Sequence, residues 1–377
     1  MMKIGIVCYP THGGSGVIAS ELALGLASRG HEIHIVSYAT PFRLGSFHQN
    51  VFIHEVEVAS YPLFKYPPYA LALATKLVDV AREYGLDLIH AHYAVPHAAS
   101  AYLAKQMLRS QAVKTITTLH GTDITLVGGD KSFYQVIKFN IEESDGVTAV
   151  SNYLQQRTIQ EFDIAREIRV IYNFVDSSRY SHDSNDCAKG HFAPRGEKIL
   201  MHASNFRSVK NVGDVVHIFA RVQERIPAKL LLIGEGPDRV SVQELVQELN
   251  LSDSVLFLGE QDDIEELMSC AQLFILPSKQ ESFGLVALEA HSFGVPVIGT
   301  NMGGLPEVVV HGETGFLLPV GDIEGMAAKA LELLESPAQY AAFGKRARKR
   351  VLDHFDSQMI IPQYESYYQE VLDQKAR

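Results

Sequence analysis

The sequence is poor in the residue types that mark several classes of protein. It has no tryptophan, and its three cysteines, Cys8, Cys187 and Cys270, lack the spacing of a zinc site or a disulfide framework. Its 33 basic residues are outnumbered by 44 acidic ones, which argues against a nucleic-acid scaffold or an anionic-membrane binder. No apolar run approaches the ~18 residues of a membrane span, and no basic-then-apolar leader opens the sequence. We therefore expect a cytoplasmic protein.

The length and the apolar content of the sequence suit two domains, because 377 residues are too many for one core and 46% of them are apolar. Strand and helix signals alternate throughout, which is typical of parallel sheets covered on both faces. The predicted strands are Lys3–Cys8, Ile33–Ser37, Val51–Val58, Leu86–His92, Ile116–Leu119, Gly146–Val150, Ile168–Tyr172, Ile199–His202, Lys229–Ile233, Val255–Leu258, Leu273–Leu276, Pro296–Gly299 and Gly315–Leu318. The predicted helices include Tyr69–Tyr84, Val95–Leu108 and Ile323–Glu335. We expect α/β domains over 1–176 and 177–358, with a helix over about 359–377 packing on the first.

The stretch from Glu281 to Glu289 combines a strand-to-helix turn with two carboxylates. Eight residues along a helix rise by about 12 Å, whereas two carboxylates that share one glycosidic bond sit roughly 5–9.5 Å apart. The pair is therefore poorly placed to act as acid and base on one bond. A long polyhydroxylated ligand across the helix N-terminus could use both as hydrogen-bond acceptors, with a phosphate between them. Two solvated glutamates on an ordinary helix are the alternative.

A glycine-rich turn, Gly13-Gly14-Ser15-Gly16, follows the first strand and opens a helix. Glycines there let backbone amides approach a phosphate or a carboxylate. The segment also fits the loose dinucleotide pattern G-x-G-x-x-A. That pattern requires an acidic residue at the end of the second strand, which here ends Ser37-Tyr38. An anion-binding turn is favoured over a plain tight turn and over a nicotinamide site.

Histidines cluster near two predicted strands of the first half. His120 heads the segment His-Gly-Thr-Asp directly after a strand, where a side chain is well placed for chemistry. The alternative is a capped turn in which Asp123 bonds backbone amides. His90, His92 and His97 have no acidic ligand near them in sequence, so we interpret them as core or wall residues rather than a metal site.

Cations and glycines also follow the strands of the second half. Arg207 and Lys210 would share a face of a helical turn, which suits a diphosphate, although exposed surface cations are the alternative. Gly234-Glu235-Gly236-Pro237 and Gly303-Gly304 are two further strand-exit turns. The basic run from Lys345 to Arg350 is interpreted as the solvated face of a helix.

Together these features resemble the retaining, nucleotide-sugar-dependent glycosyltransferases of family four over the whole chain. The most specific element is the pair Glu281 and Glu289 with seven residues between them. The resemblance implies the GT-B fold, two Rossmann-like doubly wound domains facing across a cleft. It also implies a reaction that needs no metal, and no D-x-D metal motif ends a predicted strand. Asp262-Asp263 is interpreted as a helix cap.

The resemblance further implies roles for individual residues. Glu289 would hold the ribose hydroxyls, Glu281 the donor sugar, and Arg207 with Lys210 the leaving diphosphate, while His120 would bond the sugar near the reacting carbon. The implied catalytic set is His120, Glu281, Arg207 and Lys210. The implied donor-binding set is Gly14, Ser15, Arg207, Lys210, Gly234, Gln261, Glu281, Phe283, Gly284, Leu285 and Glu289.

A narrower resemblance links several segments to family members of bacillithiol biosynthesis. These segments are 8–16, 41–44, 64–69, 90–93, 117–124 and 204–207. It implies UDP-N-acetylglucosamine as the donor, the hydroxyl of L-malate as the acceptor, and no cofactor. Malate is a small dianion, so its site requires cations and amide donors. The candidate acceptor-binding residues are Ser15, Arg43, Lys65, Tyr93, Thr118 and Thr122. We also expect a homo-oligomer.

Three other functions remain open at this stage. The same fold could serve another acceptor, such as an inositol phosphate, a lipid or a polysaccharide. A UDP-sugar epimerase on this scaffold would turn over the donor without any acceptor. A two-domain binding protein of the periplasmic type would need a secretory leader and would have no use for the cations that suit a diphosphate.

Overall fold

The structure is a computed structural model that describes residues 1–11, 13–58, 64–109, 111–125, 128–180, 189–261 and 264–374. Its contacts divide the chain into two compact units. Unit 1 comprises Met1–Asn173 with Ser357–Arg377, and unit 2 comprises Phe174–Asp356. The first boundary lies three residues before the predicted one. Each unit contains one parallel sheet with helices packed on it, so the predicted α/β class is confirmed.

Unit 1 is built on a seven-stranded sheet in which every pairing is parallel. Its strands are β1 (Lys3–Val7), β2 (Glu32–Ser37), β3 (Val51–Glu55), β4 (Leu88–His92), β5 (Lys114–Leu119), β6 (Gly146–Ala149) and β7 (Arg169–Val170). Their order is β3-β2-β1-β4-β5-β6-β7, so the direction of winding reverses between β1 and β4. Ligands of open α/β sheets bind at the carboxyl ends of strands beside such a reversal.

The helices of unit 1 follow the predicted alternation. They are α1 (Gly14–Ser28), α2 (Tyr69–Tyr84), α3 (Ala99–Met107), α4 (Thr122–Thr125), α5 (Lys131–Glu143) and α6 (Asn152–Phe162), with a 3-10 turn over Phe42–Leu44 and a π-type turn over Ala94–Ala98. The prediction of one helix from Val95 to Leu108 is wrong at its start. Val95 is extended, with φ −138° and ψ 139°, because the residue before a proline avoids the α region, and the regular helix begins only at Ala99.

Unit 2 has a six-stranded parallel sheet with the order β10-β9-β8-β11-β12-β13. Its strands are β8 (Lys198–Ala203), β9 (Ala228–Ile233), β10 (Val255–Gly259), β11 (Leu273–Leu276), β12 (Val297–Thr300) and β13 (Gly315–Leu318). Its helices are α7 (Lys189–Phe192), α8 (Val212–Gln223), α9 (Arg239–Glu248), α10 (Glu265–Cys270), α11 (Leu285–Ser292), α12 (Leu305–Val308), α13 (Ile323–Glu335) and α14 (Pro337–His354), and 3-10 turns span Ser177–Tyr180 and Ser208–Lys210. The winding reverses between β8 and β11.

Helix α15 (Ser357–Asp373) follows unit 2 in the chain but belongs to unit 1. Its Tyr368 hydroxyl is hydrogen-bonded to His90 on β4 at 2.7 Å. A Cβ added to Gly25 of α1 would lie 2.0 Å from the terminal methyl of Ile361 of α15, so this isoleucine fills the space left by the glycine. No helix in the described ranges combines the length and apolarity needed to cross a bilayer.

Tyr367 of α15 completes the hydrogen bonding of β6. The Val147 amide donates to the Tyr367 hydroxyl at 2.8 Å, and that hydroxyl donates to the Val147 carbonyl at 3.2 Å. The neighbouring strand β7 has only two residues and pairs with Thr148 and Ala149, so it does not reach Val147. The tyrosine therefore takes the place of the missing strand partner.

We expect Tyr367→Phe to lower the free energy of unfolding by about 1–3 kcal/mol, because the buried backbone of Val147 loses its partner. Urea unfolding followed by circular dichroism measures the change. Tyr66→Phe removes the same hydroxyl from a side chain that is 74% exposed, and it should stay within about 0.5 kcal/mol of the parent. Equal effects of the two substitutions would contradict the role given to Tyr367.

Candidate active site

The turn between β11 and α11 has the strand-to-helix geometry predicted for it. Gly284 caps the helix with φ 97°, a left-handed conformation that favours glycine, and α11 begins at Leu285. Glu281 lies on the turn with its side chain 12% exposed, and Glu289 lies in the second turn of the helix, where it is buried. Phe283, between them, is buried. The two carboxylates are thus held in place rather than freely solvated.

A second turn, Gly303-Gly304 after β12, packs directly on the backbone of Glu281. The Gly304 amide donates to the Glu281 carbonyl at 2.8 Å. A Cβ on Gly303 would lie 1.9 Å from that carbonyl oxygen, and one on Gly304 would lie 2.2 Å from the Ser282 oxygen. No side chain fits at either position, so the two glycines are what allows this turn to support Glu281.

The loop after β8 brings a cation to the same carboxylate. Lys210 Nζ lies 2.8 Å from Glu281 Oε2, although the two residues are 71 positions apart. The Lys279 amide donates to the Val209 carbonyl at 2.8 Å and so joins the loops after β8 and β11, the strands at which the sheet reverses. Arg207 directly precedes the 3-10 turn that ends at Lys210; it is exposed and has no ion-pair partner within the described ranges.

A third glycine turn supports the loop that holds Arg207. A Cβ on Gly234 would lie 1.8 Å from the Ser204 oxygen, and one on Gly236 would lie 2.1 Å from the Asn205 oxygen. Gln261 stands apart from this group. It follows the edge strand β10, is exposed, and donates from its side chain to the Leu258 carbonyl at 2.6 Å. Arg207, Lys210, Gly234, Glu281 and Gly284 are therefore brought to one edge of the sheet, and Gln261 lies at its margin.

In unit 1 the loops after β4 and β5 place a histidine and a tyrosine side by side. The His120 and Tyr93 rings are 5.2 Å apart, and His120 Nε2 is hydrogen-bonded to His92 Nδ1 at 2.8 Å. Burial, together with the nearby His97, lowers the pKa of His120 to about 3, so its ring is neutral at physiological pH. A neutral imidazole at this place can offer a hydrogen bond but not a charge.

The turn after His120 is also capped by Asp123, which was the alternative interpretation of this segment. The buried Asp123 carboxylate accepts from the Ala94 amide at 3.0 Å and from the Gly121 amide at 2.9 Å. Burial raises the pKa of Asp123. This carboxylate therefore joins the loops after β4 and β5 and fixes the segment that carries His120, while Thr122 stays exposed at the start of α4.

Tyr93 has an unusual backbone, with φ 89°. A positive φ is a strained conformation for a tyrosine, and such strain is concentrated at functional sites. The Tyr93 ring lies 5.7 Å from that of Tyr9, which in turn lies 6.3 Å from Tyr38. Tyr93 and Tyr38 directly follow β4 and β2, and Tyr9 lies two residues after the end of β1. Sequence reasoning overlooked this position at a strand end for Tyr9 and Tyr38.

The amino end of α1 lies beside this cluster. A Cβ on Gly16 would lie 2.4 Å from the Thr11 oxygen and 2.8 Å from the Tyr9 oxygen, so glycine allows the helix to start against the loop after β1. Gly13 caps the helix without a side chain, and Gly14 and Ser15 are its first residues. First-turn amides have no acceptor within their own helix, which suits the predicted anion-binding turn.

Three acceptor candidates make contacts within unit 1. Thr118 is buried, with its hydroxyl 2.6 Å from both His90 Nε2 and the Thr148 hydroxyl, so its side chain has no surface to offer a ligand. Arg43 is paired with Glu21 of α1 at 3.4 Å. Lys65 is exposed and stacks on Tyr66.

The three histidines that the sequence analysis interpreted as core or wall residues lie in the core. His90, His92 and His97 are fully buried, and burial lowers the pKa of each. Within the part of the chain that the structure describes, no group of three histidine, cysteine or acidic residues is arranged to hold a metal ion. Asp262 and Asp263 lie outside the described residues.

Comparisons with known proteins agree with this geometry. Residues 12–179 match the family described as Glycosyltransferase Family 4, and residues 184–350 match the family described as glycosyl transferases group 1. The N-acetyl-alpha-D-glucosaminyl L-malate synthase of Bacillus anthracis is 49% identical over 372 residues, which cover 98% of this chain and 97% of that protein. The D-inositol 3-phosphate glycosyltransferase of Mycolicibacterium smegmatis is 27% identical over 347 residues, which cover 86% of this chain and 79% of that protein.

Solved structures show the same architecture. Anabaena HepE in complex with UDP and glucose covers 98% of this chain and 100% of its own, with a TM-score of 0.84 and 23% identity, a likeness of fold. The identity to the Bacillus protein extends over nearly the whole chain, and the two family matches cover most of both units. The chain therefore belongs to the family-four glycosyltransferases, enzymes of the GT-B fold that use a nucleotide sugar as donor.

Proposed function

We propose that the protein transfers N-acetylglucosamine from UDP-N-acetylglucosamine to the hydroxyl of L-malate, with retention of configuration. The observation that carries the donor assignment is the meeting of Lys210 with Glu281 beside Arg207, at the reversal point of the unit 2 sheet. The acceptor assignment is supported by the 49% identity to a protein named as an N-acetyl-alpha-D-glucosaminyl L-malate synthase.

The donor would lie along the loops after β8 and β11. Arg207 and Lys210 would neutralise the diphosphate as UDP leaves, and the amino end of α11 would add favourable dipoles. Glu281 would accept hydrogen bonds from the sugar hydroxyls, and Glu289 from those of the ribose. With two cations at the diphosphate, the reaction would not need a metal.

The chemistry would rest on positioning and on charge stabilisation. The bond from the anomeric carbon to the phosphate oxygen breaks while the malate oxygen bonds to the same face of that carbon. The departing phosphate oxygen takes the malate hydroxyl proton, so no base on the protein is needed. His120, being neutral, would donate or accept one hydrogen bond at the sugar near the reacting carbon.

The acceptor would use the carboxyl edge of the unit 1 sheet. The amides at Gly14 and Ser15, the hydroxyl of Thr122 and the ring of Tyr93 all lie there. Arg43 and Lys65 remain candidate cations for the malate carboxylates, although Glu21 already offsets part of the charge of Arg43. Thr118 is not retained as a contact, because its hydroxyl is occupied within the sheet.

We expect Arg207→Ala to lower kcat/KM for UDP-N-acetylglucosamine by about 10²–10³, because one cation at the leaving diphosphate is lost. Steady-state release of UDP in the presence of malate measures the effect. Arg225→Ala, which removes an exposed arginine before β9 at the opposite edge of the sheet, should leave the rate unchanged. If the two variants behaved alike, the diphosphate assignment would be wrong.

A second expectation concerns pH. Because the folded pKa of His120 is lowered to about 3, the ring stays neutral above about pH 4 and contributes no ionisation to the rate between pH 5.5 and 8. His120→Gln should lower kcat by about 10² and leave the shape of the pH–kcat profile unchanged. An acidic limb near pH 6.5 that vanished in the variant would instead show that a charged His120 takes part.

Product identity tests the acceptor. The protein is incubated with UDP-N-acetylglucosamine and, separately, L-malate, D-malate, L-lactate and an inositol phosphate, and the products are identified by mass. We expect a glycoside with L-malate, a much slower reaction with lactate because one carboxylate is missing, and no product with the inositol phosphate. Donor consumption without any acceptor would indicate an epimerase or a hydrolase.

A further inference from the structure

Arg350 departs from the pattern predicted for the basic run on α14. The other cations of this run, Lys345, Arg346, Arg348 and Lys349, are exposed, as expected of a solvated helix face. Arg350 is half-buried, and its guanidinium contacts helix α12 and the Phe355 ring. The prediction of a uniformly solvated face is therefore wrong at this one position.

The first set of Arg350 contacts fixes the end of α12. Its Nε donates to the Val308 carbonyl at 2.9 Å and its Nη2 donates to the Glu307 carbonyl at 2.6 Å. The last carbonyls of a helix have no partner within it, and a guanidinium can satisfy two at once because its donors diverge in a fixed plane. Helix α12 has only four residues, and the Gly303-Gly304 turn that supports Glu281 directly precedes it.

The second set reaches the other side of the same segment through two aromatic rings. The Arg350 guanidinium lies 5.5 Å from the centroid of the Phe355 ring. The Phe355 ring meets that of Phe283 edge to face, at 5.7 Å and 76°. Phe283 is 2% exposed and stands two residues after Glu281, immediately before the glycine that caps α11.

We infer that Arg350 is a positioning residue for the donor segment Glu281–Leu285. It braces this segment from two directions, through α12 and the glycine turn on one side and through Phe355 and Phe283 on the other. The inference rests on the proposed donor role of Glu281, but it does not depend on the identity of the acceptor. A displacement of about 1 Å at a reacting group can cost 10²-fold in rate. The contacts of Arg350 can therefore affect turnover although they do not touch the donor.

The experiment compares two arginines of one helix. Arg346 makes the same kinds of contact one turn earlier: its Nε donates to the Glu313 carbonyl at 2.8 Å, and its guanidinium lies 4.9 Å from the Phe343 ring. Its carbonyl partner lies on the turn before β13. We expect Arg350→Ala to weaken binding of UDP-N-acetylglucosamine, measured by calorimetry without acceptor, by about tenfold and to lower kcat by about 10–10². Arg346→Ala should change the donor affinity and kcat by less than twofold.

Two further variants separate positioning from general stability. Compared with Arg350→Ala, Arg350→Lys should have a thermal stability closer to that of the wild type. It should regain little of the donor affinity, because one ammonium group cannot reproduce the two diverging hydrogen bonds. Phe355→Leu keeps the hydrogen bonds, removes the aromatic contacts, and should raise the donor KM several-fold while leaving the malate KM unchanged. Equal donor affinities in Arg350→Ala and Arg346→Ala, or full recovery in Arg350→Lys, would overturn the inference. Failure of wild-type protein to use malate would overturn only the acceptor assignment.

Discussion

Backbone-to-backbone contacts that only glycine permits hold together the loops at the carboxyl edge of the unit 2 sheet. Gly234 and Gly236 seat the turn after β9 against the loop that carries Arg207, and Gly303 with Gly304 seats the turn after β12 against Glu281. Any side chain at these positions would collide with a carbonyl oxygen. The hydrogen bond from the Lys279 amide to the Val209 carbonyl joins the loops after β8 and β11, and there Lys210 and Glu281 lie within hydrogen-bond reach of each other.

Much of this arrangement could be predicted from the sequence. The strands Leu273–Leu276 and Gly315–Leu318 and the helices Tyr69–Tyr84 and Ile323–Glu335 have the bounds that periodicity predicts, since buried parallel strands are short apolar runs bounded by turns. Charged and glycine residues after strand ends also pointed to one edge of each sheet, because all strands of a parallel sheet end on the same side.

Other features depend on information that a local pattern does not contain. Thr118 was a candidate acceptor contact, but successive side chains of a strand face opposite sides, and its own faces the buried layer under α15. Arg350 looked like one cation among five, and only the fold places two carbonyls 42 and 43 positions away within its reach. The neutral state of His120 likewise depends on burial.

Unit 1 is assembled from two stretches of chain separated by the whole of unit 2. Tyr367 and Tyr368, which pair with the sheet at β6 and β4, are made on the ribosome only after every strand of unit 2. During synthesis, therefore, the first sheet lacks the helix that contacts β4 and β6 at the time when all residues of unit 2 have been made. Unit 1, whose first strand is translated first, therefore receives its last helix only after the residues of unit 2 are complete.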